Sequence, residues 1–175
     1  MSRISLVVEF PAEASDFVAR VRRQRRGKLL KLYQALLHSP ALAESWFGHM
    51  NAVRWGSTLS GRLRELIIIR IAAIHGVAYV IRQHVPALAE ADGVSVAECE
   101  ALKDWRRCAS FNAAERAALA YCDSVTTEVN VADEVFQALR PHYSERRIVE
   151  LTVLIATYNM HVRVIQALEI APEST

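Results

Sequence analysis

Two titratable side chains stand in segments that otherwise read as buried helix. Glu65 lies in RELIIIRIAAI, and the residues four, seven and eleven positions on are Ile69, Ala72 and Gly76. At helical spacing the carboxylate therefore shares an apolar face. A carboxylate in that position must be ion-paired, hydrogen-bonded or shifted in pKa. One reading is structural: a buried pair with Arg62 or Arg64, or an acid in the first turn of a helix. The other is a general acid/base whose pKa is raised by loss of water. His84 ends the stretch HGVAYVIRQH, with Val80 and Val77 four and seven residues before it and Leu88 four after it. Alone it reads as a core or interface histidine. A second titratable group on the adjoining helix changes that, because a helix pair can bring Glu65 up to orient His84, the usual arrangement of a base and its orienter.

Other chemistries find less support. His75 and His84 are nine residues apart, on opposite faces of a continuous helix, and no HxxxH or HExxH spacing is present, so no metal site is expected. His75, just before Gly76, reads as a helix-end histidine. There is no GxGxxG, P-loop or GxSxG, so nucleotide cofactors and serine hydrolysis have no motif. The basic run VRRQRRGK at 21–28 lacks interleaved aromatics and a helix-turn-helix signature, and the net charge is only +2. It reads as a solvated or inter-subunit charge cluster, and nucleic acid is not an expected partner.

The elements that must position these residues are helices. Apolar residues make up 52% and charged ones 23% of 175 residues with few glycines and prolines, the composition of one mostly helical globular domain. Pro40 ends a first amphipathic segment at about 27–38, and a second helix runs from about 40 to 54. Helices are then predicted at 59–75, with Gly76 as a break, and at 78–91, with Gly93 as its cap. Ser95 with Glu98 and Asn112 with Glu115 are capping boxes that open helices to about 108 and 127. Asn130 with Asp133 opens another, ending before Pro141, and Ser144 opens the longest, roughly 145–169. No strand emerges, so the expected fold is all-α, with about seven to eight helices. Arg62-Leu63-Arg64-Glu65-Leu66 is weakly echoed by Arg146-Arg147-Ile148-Val149-Glu150-Leu151. The apolar stretches from Leu66 to Val80 and at 151–162 fall short of the roughly 20 residues of a spanning helix, so no membrane segment is expected. The N-terminus lacks a signal layout, and Cys99, Cys108 and Cys122 form no CxxC pair. Both features fit a cytoplasmic protein with reduced thiols.

The frame Glu65-x11-Val77-x2-Val80-x3-His84 resembles the signature of the AhpD-like, carboxymuconolactone decarboxylase superfamily, whose alkyl hydroperoxidase branch reads Glu-x11-Cys-x2-Cys-x3-His. RGKLLKLYQALLHSPALAES, GRLRELIIIRIAAIHGVAYVIRQH and LTVLIATYNMHVRVIQALEIAPE resemble, in order, blocks of its decarboxylase-like branch. The resemblance implies a single domain over 1–175, with its core at about 40–127 and N-terminal helices and a long C-terminal helix packed on it. It also implies a homo-oligomer, trimer or hexamer, burying the apolar helices 62–75 and 148–168.

The chain departs from the family where chemistry is expected. Val77 and Val80 occupy both cysteine positions, and valine offers no thiolate, so thiol peroxidase activity at this site is excluded. Cysteine-free relatives commonly carry Tyr-Glu before the final histidine; here Tyr79 is kept and Val80 replaces the acid. What the resemblance leaves is a cofactor-free lyase or decarboxylase, or a related proton-transfer enzyme, acting on a small oxygenated carboxylate or lactone. His84 would be its acid/base and Glu65 its orienter. Arg82, which reads equally as a solvated charge, or Arg163 would hold the substrate carboxylate. Tyr79 and, from the terminal region that packs near the pocket in resembling proteins, Tyr158 and His161 are weaker binding candidates. A buried polar network at an oligomer interface is the structural alternative for the terminal set. The competing function is a small-ligand-binding or oligomeric relative with a decayed site. A polar-lined, solvent-reachable pocket at His84 would discriminate against it.

Overall fold

The structure is a computed structural model and describes residues 2–25 and 27–173. Among these residues there are ten α-helices and no strand: α1 (Ser15–Gln24), α2 (Lys31–Leu36), α3 (Pro40–Trp55), α4 (Gly61–His75), α5 (Ala78–His84), α6 (Ala87–Ala91), α7 (Val96–Ala101), α8 (Ala113–Thr127), α9 (Asp133–Gln137) and α10 (Glu145–Ala167). The fold is all-α, as expected.

Most of the local signals that open helices act as read, whereas Asn130 with Asp133 does not, since α9 begins after Ala132 with no side-chain cap. Ser95–Glu98 and Asn112–Glu115 close complete capping boxes, and Ser144 and Ser60 accept the N3 backbone N–H of α10 and α4. Gly76 stops α4 in the left-handed region, at φ 66°, and turns the chain straight into α5.

Several boundaries differ from expectation, each for a local reason. The helix expected at 78–91 is two, because Pro86 holds the preceding Val85 extended (φ −103°, ψ 132°), and α5 therefore ends at His84. The helix expected to reach 108 gives way to a 3-10 segment, Leu102–Arg107, in which Asp104 leaves helical geometry. Asp123 binds that segment to the core by accepting hydrogen bonds from Trp105, Arg106 and Arg70. The first amphipathic segment is helical only over Lys31–Leu36, and α1 precedes it where no helix was expected. Of the basic run at 21–28, Arg26 lies outside the described residues.

Helix α4 is the axis of the molecule. Nine of its residues are buried, from Leu63 to Ala72, because α5, α8 and α10 pack around it. A second, smaller cluster joins α1 to α2 and α3 through Phe17, Tyr33 and Phe47, three rings in edge-to-face contact. Helix α10 runs 23 residues and is long and apolar enough to cross a membrane by length and composition, which corrects the shorter span read from the sequence. Its inner side, including Leu151, Leu154, Ile155, Tyr158 and Val162, is built into the core, the arrangement of a core helix.

Candidate active site

Because Gly76 reverses the chain between α4 and α5, the two helices lie side by side and Glu65 meets His84 across them. Glu65 Oε2 is 2.5 Å from His84 Nδ1, with Glu65 fully buried and His84 5% exposed. The third member comes from α3. Arg54 directs Nη2 at Glu65 Oε1 (3.4 Å) and Nη1 at both Tyr158 Oη (3.2 Å) and His84 Nε2 (3.5 Å). Arg64, the partner expected for Glu65, is farther off at 3.9 Å and is committed to Asp92 and to the backbone carbonyl of Arg54. Arg62, the other expected partner, points away and pairs with Glu98 and Glu115.

These contacts set the protonation states. Burial pushes the Glu65 carboxyl up, but the hydrogen bond and charge of His84 and the guanidinium groups of Arg54 and Arg64 outweigh it, leaving the group below the usual carboxylate range. Burial, reinforced by Arg54 and Arg64 and opposed by Glu65, pushes His84 below the usual histidine value. At neutral pH the pair is therefore a carboxylate facing a neutral imidazole. Nδ1–H donates to Glu65, and the Nε2 lone pair is left on the side of Arg54 and Tyr158.

His84 lines an inner cavity of about 100 Å³ together with Arg54, Tyr158, His161, Tyr79 and Val80. Arg25, Leu30, Arg54, Gln83 and Leu88 also line an outer cavity of about 210 Å³, so the two adjoin. His161 packs against the rings of Tyr158 and Trp46. Its Nδ1 is sealed from solvent with no hydrogen-bond partner among the described residues. Burial, with His84 and Arg54 nearby, lowers its pKa to about 3, so the ring is neutral.

The residues named from sequence thus divide. Glu65, His84, Tyr79, Tyr158 and His161 are brought together around the inner cavity or directly behind it. Arg82 is not: it is exposed on the opposite side of α5, beside a separate apolar groove formed by α4, α5 and α7. Arg163 is exposed and bonds back to Asn159 on its own helix. His75 bonds Asn159 from the end of α4.

Sequence reading missed Arg54, although a signal existed. Ala43, Phe47 and Met50 are buried on α3, and Arg54 continues their spacing at four residues after Met50. It also missed Arg25 and Lys28, which line the outer cavity instead of a free charged surface.

Residues 40–124, which hold Arg54, Glu65 and His84, match the model of the carboxymuconolactone decarboxylase family. The uncharacterized protein YdfG of Bacillus subtilis is 30% identical over 109 residues, 59% of this chain and 71% of that protein. The chain belongs to the carboxymuconolactone decarboxylase family. Among solved structures it is similar to a protein of unknown function from Agrobacterium tumefaciens, named as an AhpD-type candidate for antioxidant defence. That likeness has 28% identity and a TM-score of 0.75, over 81% of this chain and 97% of that one. An uncharacterized peroxidase-related protein from Silicibacter sp. TM1040 shares the fold at 19% identity and a TM-score of 0.85, over 99% and 92% of the two chains. In this member of the family the buried Val77 and Val80 stand where the peroxidase frame has its cysteines. Burial raises the thiols of Cys99 and Cys122, the latter to about 12, and neither lines the His84 cavity.

Proposed function

We propose that this protein is a cofactor-free acid–base enzyme, a lyase or decarboxylase by family, acting on a small oxygenated carboxylate or lactone. The carrying observation is the array Glu65–His84–Arg54, in which a neutral imidazole oriented by a buried carboxylate lines a cavity beside a guanidinium. His84 Nε2 is the base. It takes a proton from carbon next to a carbonyl, and the electron pair moves onto the carbonyl oxygen. Arg54 and the Tyr158 hydroxyl are placed to donate hydrogen bonds to that oxygen. The imidazolium formed is balanced by Glu65 through Nδ1–H. In a decarboxylation the bond to the carboxylate breaks instead, carbon dioxide leaves, and its electron pair enters the same oxygen as an enolate. His84 then delivers a proton drawn from solvent to the carbon. Such proton transfer contributes about 10²–10⁴-fold in rate. Substrate carboxylate recognition, assigned from sequence to Arg82 or Arg163, falls to neither in this reading, because both are exposed away from the cavity, while Arg25 and Lys28 give its mouth a positive rim.

A second reading, a ligand-binding relative without turnover, is favoured by one observation: Val80 lines the cavity where cysteine-free relatives carry an acid. One experiment separates the two. Carbon dioxide release is followed from a panel of β-keto acids and carboxylated lactones, with native protein and with His84→Ala. Turnover that disappears in the variant is the expected result. Turnover equal in both proteins refutes the role of His84, and tight binding with no turnover on any substrate favours the second reading.

A further inference from the structure

The mouth of the site already holds a carboxylate, and it is the protein's own. Beyond α10 the chain turns at Ile170, which is 4% exposed and anchors residues 171–173 back across the molecule. Lys31 Nζ donates to the Pro172 carbonyl at 2.7 Å. The Glu173 carboxylate is then seated on three donors: the Lys31 backbone N–H at 2.8 Å, the Tyr79 hydroxyl at 3.2 Å and the Gln83 side-chain amide. Tyr79 is 4% exposed, and burial together with the Glu173 charge drives its pKa far above that of a free tyrosine. Its hydroxyl is thus a fixed donor at any working pH.

Three features make this more than a tail contact. Tyr79 and Gln83 are four residues apart on α5 and share a face, and His84 follows Gln83 directly. Gln83 lines both cavities, so the carboxylate sits where the outer one meets the chamber of His84. Among the described residues, the charged groups lining the outer cavity are Arg25, Lys28 and Arg54, with Glu173 as the single acid. Lifting residues 171–173 would leave a mouth carrying only positive charge, with three donors unfilled.

We propose that the Lys31 N–H, the Tyr79 hydroxyl and the Gln83 amide form a carboxylate-binding subsite at the mouth of the His84 cavity, and that Glu173 fills it as an internal stand-in which a small carboxylate ligand must displace. The inference rests on the proposed function only in taking the His84 chamber as the place where substrate is held. It narrows the substrate class to small acids that hold one carboxylate at the mouth, distinct from any carboxylate lost as carbon dioxide, while the reacting carbon reaches inward. A tethered competitor lowers apparent affinity by the fraction of time the site is free, so a strap seated nine-tenths of the time costs about tenfold in affinity.

The test is calorimetric titration at fixed ionic strength with 4-oxopentanoate and its uncharged primary amide, on the full chain and on Glu173→Gln. The expected result is roughly tenfold tighter binding of the acid to Glu173→Gln, no change for the amide, and loss of the gain when Gln83→Leu is added. Unchanged affinity for the acid, an equal gain for the amide, or no binding to either protein overturns the proposal. Because no turnover is read, the outcome is separable from the proposed chemistry. Competition without catalysis would sink the acid–base reading and keep the subsite, and catalysis with no effect at Glu173 would do the reverse.

Discussion

The sharpest demand that the structure makes is that Glu65 and Arg54 depend on each other. Glu65→Gln keeps the side-chain volume and removes the charge, leaving the Arg54 guanidinium, 11% exposed, against a neutral histidine. At an effective dielectric near 20, the attraction across their 3.4 Å separation is about 5 kcal/mol. Part of this is recovered, because Arg54 packs over the exposed Trp55 and lines the outer cavity, where it can turn toward water. The expected loss is therefore about 3 kcal/mol, the low end for breaking a buried pair. Arg54→Met should cost a similar amount by leaving the Glu65 carboxylate with His84 and the more distant Arg64. In the double variant neither charge is stranded, so the two losses should fall short of additivity by about 2 kcal/mol. Urea unfolding at pH 7.5, at one protein concentration and low salt, measures all four proteins. Each single loss is a large share of the roughly 5–15 kcal/mol that holds a domain together, so the midpoints should separate clearly. Additivity within about 0.5 kcal/mol would refute the reasoning and reduce the contact to two independent side chains.

Two further outcomes follow from the same interior. His84 and His161 are both held below the ordinary histidine value of about 6.5, so below that pH the unfolded chain binds protons that the folded one refuses. Stability should be complete above about pH 6.5 and decline as the pH falls toward 3. His161→Gln should flatten the decline in a series of thermal melts, and an unchanged slope would contradict the assignment. At Gly76 an added Cβ meets nothing within 4 Å, yet φ is +66°, so Gly76→Ala tests backbone strain alone. It should cost about 1 kcal/mol and lower Tm by about 2–4 °C, whereas an unchanged Tm would mean that the turn relaxes freely.

What could be read before the fold was seen is what local physics decides. Ser95 and Asn112 open helices because a side-chain oxygen three residues before an N–H needs no distant help, and Gly76 ends one because a residue without a Cβ takes a left-handed φ at no steric cost. Pro86 was equally legible as the break that places His84 at a helix end, and treating 78–91 as one helix overlooked it. Glu65 and His84 stood out because polar groups on apolar faces are rare, and their meeting needed only two adjoining helices. The same reasoning failed for Arg82 and Arg163, since each lies two residues from the histidine it was grouped with, about 200° around the helix, and so faces away from the cavity.

The sequence alone determined the all-helical architecture, most of the caps, Glu65 and His84 as polar groups on apolar faces, and the absence of a thiol at positions 77 and 80, because each depends on residue type and on spacings shorter than a helix. Only the tertiary structure decided which arginine serves the pair. Arg62 is directed to its own acids, Arg64 reaches Glu65 only at 3.9 Å while it bonds Asp92, and packing brings Arg54 in from α3 at 3.4 Å. It also decided that the Glu173 carboxylate lies at the mouth of the site, 142 residues along the chain from the Lys31 N–H that binds it. Such contacts carry no periodic signal; they exist because a buried charge must find a partner, and the fold settles which one is within reach.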